Sequence, residues 1–292
     1  DFTRIYPYVK GTTMTSTPRT ITPLSRSIGV EVTGLSGGAF AGEAAARECL
    51  TLLDRHGVVV YRDAHIADAD LVTFSRMLGE VVVAPDGDQT HPEVSAITLD
   101  PAKSKLAAYR KGTFFWHIDG AHDEVPQKAT LLHALAVADE GGDTEFANTY
   151  AAYEALPEEE KADLGKVRVI HSFTAAQLLS NPDASSRQRA AMDRIPPREH
   201  PLVWTRPSGR KSLLLGATAA EIVGRTPEEG RALLDRLQDW CTQSQFVLRH
   251  HWRRGDLVVW DNTGMLHRAI PYEATSQRLL HRTTLTGEQR VV

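Results

Sequence analysis

FVLRHHWRRGDLVVWDNTGMLHRAIPYEATSQRLLHRTTL (246–285) alternates short apolar runs with turn chemistry and carries no helical period. FVLRHHW, LVVW, MLHRAI and RLLHRTTL read as strands, divided by RRGD, DNTG and a longer link through Pro271. A doubly wound parallel sheet needs regular strand–helix alternation, and a chain ending in consecutive strands is not that. Further short strands are expected at 29–35, 58–61, 95–99, 114–119, 129–135, 144–148, 167–173 and 212–216. Helices are expected at 42–56, 68–78 and about 149–164. A fourth begins at Thr226-Pro227-Glu228-Glu229, a capping box with proline at the first helical position. Residues 100–113 read as a long loop and 180–199 as a loop or lid. The fold class that fits is mainly β with added helices, on a double-stranded β-helix (jelly-roll, cupin-like) core.

Length and composition set the outer limits. The 292 residues suffice for one large buried core. Residues 1–20 are polar and turn-rich, and are expected to be a flexible or expression-derived lead, with Met14 a candidate natural start. Residues 21–292 are expected to form a single domain. A net charge of −4 supplies no broad basic field, which argues against nucleic acid as a partner. No apolar run approaches the ~20 residues of a membrane span. Cys49 and Cys241 are the only cysteines and sit among leucines, so two reduced, buried thiols and a cytoplasmic location are expected.

The chemistry concentrates in Trp116-His117-Ile118-Asp119. Read as a strand, this places His117 and Asp119 on one face. His267 is the candidate third ligand. Two histidines and one carboxylate on one side of an octahedron leave three positions open, the arrangement of non-haem iron(II) oxygenases. Alone the pair is weak, because a chain with 12 histidines produces chance neighbours and zinc hydrolases also use His and Asp. The second element is Arg278, eleven positions beyond His267, with Arg282 four further on. In RLLHRTTL both arginines share a face, with His281 opposite. Arginine suits bidentate carboxylate binding, and two of them facing a barrel interior need an anion; otherwise the strand is basic and solvent-facing.

Together, W-H-I-D, G-G-D-T-E-F, W-D-N…L-H-R and R-L-L-H-R-T-T-L resemble the taurine dioxygenase / 2,4-dichlorophenoxyacetate dioxygenase family, from about Ile21 almost to the C-terminus. The resemblance implies an iron(II), 2-oxoglutarate-dependent dioxygenase that uses O2 and releases succinate and CO2. His117, Asp119 and His267 would be the metal ligands. Arg278 and Thr144 would hold 2-oxoglutarate. Arg282 would bind an anionic group of the substrate or reinforce the cosubstrate carboxylate. Related halogenases lack the carboxylate at Asp119, so its presence points to oxygen insertion. Relatives form dimers or larger assemblies, which leaves a homo-oligomer open.

The same resemblance bears on a small-molecule substrate. Taurine-specific relatives carry a His and a Tyr after the second helix; EVVVAPDGDQ (80–89) has neither, and Thr113 stands where they have Asn. An aryloxyalkanoate-like or other carboxylate substrate is expected. Tyr109, Arg110 and Lys111 lie in the loop before the metal motif, which could close over substrate; Tyr109 and Lys111 are candidate substrate contacts, with a solvated charged loop as the alternative. Asp261 and Asn262 are candidates to orient the metal histidines. Two other readings stay open. One is a metal-dependent hydrolase or isomerase, which would not need Arg278. The other is a non-catalytic metal-binding jelly roll.

Overall fold

The computed structural model describes residues 18–292, so the expectation for residues 1–17 lies outside the described residues. Thr20 already belongs to a strand, Thr20–Pro23, paired with Val30–Thr33.

The strands Val58–Tyr61, Leu257–Asp261, Ala129–Ala136 and Leu279–Leu285 run side by side in a seven-stranded sheet. Thr20–Pro23 and Val30–Thr33 extend it at one edge, and Ser95–Ile97 closes the other. Val30–Thr33 pairs in parallel with Val58–Tyr61, and the remaining pairings are antiparallel. A second sheet orders Val247–His250, Thr144–Asn148 and Met265–Ala269. Among the described residues the chain is mainly β with added helices, and its two facing sheets are the jelly-roll core.

Alternation explains why Val58–Tyr61 is apolar throughout. Val58 and Val60 face the second sheet, packing with Phe146, Met265 and Trp260. Val59 and Tyr61 face the other way, against the helices Glu43–His56 and Asp68–Leu78. A strand buried on both faces cannot alternate in polarity. Glu43–His56 buries Ala45, Cys49, Leu52 and Leu53 and ends at Gly57, whose φ of 72° suits glycine at a helix stop. Both cysteines are free and buried. No helix among the described residues is long and apolar enough to cross a membrane.

Four local expectations need correction. FFWHID is not a strand. Ala107–Phe114 is a 3-10 helix, and beyond it only His117 pairs, through an isolated bridge to His267. The pairing stops because Gly120, at φ 71°, turns the chain. The 3-10 helix also replaces the second half of the expected 100–113 loop. The helix at 149–164 is two helices, Thr149–Glu154 and Glu158–Leu164, because Pro157 lacks an amide donor and disfavours helical geometry at Leu156. The 180–199 segment holds a helix, Ser186–Met192, started by a Ser185/Gln188 capping box. The Thr226/Glu229 capping box forms as expected at Pro227–Cys241.

Candidate active site

His117 and His267 meet across the isolated bridge. Each amide donates to the other's carbonyl, at 3.0 and 2.9 Å. In an antiparallel pair that exchanges both hydrogen bonds, the two side chains leave on the same side. Their rings lie 4.2 Å apart between centroids. Asp119 completes the group: Oδ1 is 3.7 Å from His117 Nε2 and Oδ2 is 3.6 Å from His267 Nε2. One donor atom from each of the three residues lies within 4.8 Å of the others. This donor set fits a first-row divalent metal, with two imidazole nitrogens, one carboxylate and an open side toward a cavity.

The neighbours fix which atoms face inward. His117 Nδ1 is 2.8 Å from the Phe115 carbonyl, which leaves Nε2 for the centre. The His267 ring sits against Trp260 and Phe146, at centroid distances of 4.8 and 6.3 Å. Thr130 donates to Asp119 Oδ2 at 2.8 Å, Asn262 donates to the Thr130 hydroxyl at 2.8 Å, and Trp260 donates to the Asn262 oxygen at 2.9 Å. Asn262 therefore orients the carboxylate rather than a histidine. Asp261 instead accepts from Thr263 and Tyr150 in the turn.

Gly216 supports the bridge from behind, and the sequence had marked it only as the end of a strand. A β-carbon there would lie 2.7 Å from the Trp116 carbonyl oxygen and 2.8 Å from His117 Cα, at a φ of 102°. The signal that could have found it is a glycine closing an apolar run, which often marks close backbone approach.

Charge follows burial. Burial pushes His117 down to about 4, with His267 adding to the effect, so the imidazole is neutral at pH 7 and its nitrogen is free to bind a cation. Burial alone would raise Asp119, but His267, then Arg282 and His117, outweigh it and hold the carboxyl well below its usual range.

Two cavities meet at this group, sharing Arg110, Thr113, His117 and Asp119. The narrower one contains Thr144, Arg278 and Arg282, together with Leu132 and Trp260. Arg278 is buried, donates from Nε to the Gly142 carbonyl at 3.1 Å and stacks over Tyr272 at 4.7 Å. Gly142, at φ 72°, makes room for it, since a β-carbon would meet Arg278 Cδ at 2.9 Å. Burial lowers the Arg278 pKa. Among the described residues neither Arg278 nor Arg282 has a carboxylate within 4.0 Å. Thr144 Oγ1 accepts from Trp252 at 3.0 Å, which leaves its own proton to donate. The arrangement can bind a carboxylate beside the metal ligands.

The larger cavity holds about 470 Å³. Leu106, Phe173, Ala176, Met192 and Ile195 give it an apolar wall. Tyr109, the first of the two candidate substrate contacts, lines it and is partly exposed. Lys111 does not: it is exposed and lies outside both cavities. In a 3-10 helix successive side chains point about 120° apart, so the turn that brings Arg110 inward carries Lys111 out. Arg110, which the sequence reading placed with Tyr109 and Lys111 in the loop before the metal motif, is buried and common to both cavities.

Known proteins resemble this chain along most of its length. Residues 20–284 match the family model described as taurine catabolism dioxygenase TauD, TfdA family. The chain is 35% identical over 258 residues to an alpha-ketoglutarate-dependent 2,4-dichlorophenoxyacetate dioxygenase of Cupriavidus pinatubonensis, covering 83% of this chain and 89% of that one. It is 30% identical to an alpha-ketoglutarate-dependent sulfate ester dioxygenase of Pseudomonas putida, covering 91% and 89%. Among solved structures it resembles AAD-2 in complex with Mn(II) and N-oxalylglycine, with a TM-score of 0.79, 29% identity, and coverage of 94% and 100%.

Proposed function

The chain belongs to the TauD/TfdA family of iron(II)- and 2-oxoglutarate-dependent dioxygenases, and from that premise we propose that it hydroxylates a small organic monoanion, an aryloxyalkanoate-like carboxylate above all. One observation carries the reading: the His117, Asp119 and His267 donors and the buried, carboxylate-free Arg278 line one cavity, which opens into a second, apolar one. The hydrolase and non-catalytic readings leave Arg278 and Thr144 without a task.

In this proposal His117, Asp119 and His267 hold iron(II). When bound with 2-oxoglutarate, the metal supplies the activation of dioxygen that ends in succinate, carbon dioxide and a hydroxylated substrate. Arg278 takes the distal carboxylate of 2-oxoglutarate as a fork, and the Thr144 hydroxyl donates to the same group. N-oxalylglycine, a dicarboxylate bound by AAD-2, has the same requirement. Thr130 keeps Asp119 aimed at the centre, and the apolar wall around Phe173 and Met192 excludes water from the substrate body. Where the attacked carbon bears oxygen, the hydroxylated product collapses with cleavage of the C–O bond.

Taurine remains disfavoured, since a wall of Leu106, Phe173, Met192 and Ile195 suits a bulkier apolar body. The two buried free thiols, each pushed up to about 12 by burial, suit a reducing cytoplasm. The test is succinate release from 2-oxoglutarate by the iron-loaded protein across a panel of aryloxyalkanoates, alkyl sulfates and taurine. Stimulation by an aryloxyalkanoate is expected. Stimulation by taurine alone would overturn the substrate assignment.

A further inference from the structure

Arg110 is the charged group that the reading above leaves unused. It is 7% exposed and sits where the two cavities meet. One corner of the guanidinium is held: Nη2 donates to Ser95 Oγ at 2.9 Å, to the Ala96 carbonyl at 3.2 Å and to Asp86 Oδ2 at 3.3 Å. Asp86 is itself held by the Ser95 and Ser104 hydroxyls. The Nε of Arg110 is buried and has no hydrogen-bond partner, and the Nε of Arg282 is in the same condition. A purely structural arginine would spend its donors on protein acceptors, because an unmet buried donor is costly.

The charges point the same way. The cavity linings carry three guanidiniums, Arg110, Arg278 and Arg282, against the carboxylates of Asp119 and of Asp86 behind Arg110. Iron(II) adds two positive charges and the 2-oxoglutarate dianion cancels them. One positive charge is left over in this lining. Burial and then Arg282 push Arg110 down to about 10, against the opposing pull of Asp86.

We propose that Arg110 is a substrate-anchoring residue: with Arg282 it receives the single negative charge of the substrate at the seam, while the substrate body fills the apolar cavity. This rests on the dioxygenase reading and adds to it a residue and an orientation. The shared ligand chemistry is a monoanionic head, either a carboxylate or a sulfate ester, on an apolar body. Asp86, Ser95 and Ser104 preorganise the guanidinium, so little ordering is left for the substrate to impose.

Titration calorimetry on the protein loaded with Mn(II) and 2-oxoglutarate tests it, with phenoxyacetate, hexyl sulfate and neutral phenoxyacetamide as probes. Arg110→Gln is the first variant. The Asp86→Asn/Arg110→Gln pair is the second, since it leaves no unpaired buried carboxylate. In both variants the anion that binds wild type should weaken by roughly 30-fold or more, while phenoxyacetamide and 2-oxoglutarate move less than about threefold. Loss for phenoxyacetate identifies a carboxylate site, and loss for hexyl sulfate alone a sulfate-ester site; both support the assignment. Unchanged anion affinity overturns it, and so does an equal loss for 2-oxoglutarate. If wild type binds neither anion but still converts 2-oxoglutarate with some neutral compound, the monoanion reading itself fails, which is distinct from an indifferent Arg110.

Discussion

His117 and His267 are joined through their backbones before any metal is considered. The reciprocal hydrogen bonds at 3.0 and 2.9 Å fix where both imidazoles leave the chain, so two ligands of the proposed centre are set by one bridge. Asp119 then needs only its own bond to Thr130 to reach the donor group. Preorganisation of this kind predicts that residues touching no reacting atom set how well the proposed centre holds its metal.

Gly216→Ala is expected to show this. The added methyl would press on the Trp116 carbonyl and the His117 backbone at a φ that disfavours a side chain. Fe(II) or Mn(II) affinity should fall by about 10- to 100-fold, the range for lost support around a metal ligand. Metal titration of the folded variant, checked by circular dichroism, is the measurement. Wild-type affinity would mean that the bridge tolerates displacement.

Thr130→Val removes the hydroxyl that orients Asp119 and accepts from Asn262, with little change in shape. Metal affinity should again drop about 10-fold or more, and Asn262 should lose a partner inside the protein. A direct comparison of metal dissociation constants decides it. An unchanged constant would assign Thr130 to packing alone.

Arg278→Lys keeps a positive charge but not the planar fork. The 2-oxoglutarate dissociation constant should rise roughly 30-fold or more, with metal affinity unchanged. Rescue by lysine to within twofold would show that a point charge is enough and that the bidentate account is wrong.

Acid should destabilise the fold in a defined window. His171 and His133 are buried, with His171 Nε2 and both His133 nitrogens lacking partners. Burial, with His200 beside the first and His281 beside the second, pushes them down to about 3 and about 4 from the ordinary 6.5. Between those values the unfolded chain binds more protons than the folded one. Their contribution is therefore complete above about pH 6.5 and is lost as pH falls, at about 1.4 kcal/mol per pH unit for each histidine. Chemical denaturation from pH 8 to pH 4.5 should show a plateau and then a decline, with a shallower decline in His171→Gln. Stability that stays flat down to pH 4.5 would contradict neutral burial.

The strands and the second half of the site were legible because their signals are local. Val58–Tyr61 has no polar residue, the C-terminal run has turns at fixed places, and Thr226 to Glu229 spells out its own cap. Trp116 to Asp119 misled because a single bridge and a full strand look alike in four residues; what ends the pairing is the backbone of Gly120. Lys111 and Arg110 were indistinguishable as neighbours in a basic run, and only the 3-10 turn separates the exposed one from the buried one. Thr130, eleven positions beyond Asp119, carried no pattern, since its role depends on a strand packing beside the metal motif.

The central claim is that His117, Asp119 and His267 hold a metal onto which Arg278 places 2-oxoglutarate. Adding iron(II) and then 2-oxoglutarate to the metal-free protein without oxygen, and recording the visible spectrum, tests it most directly. A metal-to-ligand charge-transfer band should appear in wild type, be absent in His117→Ala and weaken in Arg278→Ala. A band of undiminished strength in His117→Ala, or no band in folded, iron-replete wild type, would contradict the assignment of this site.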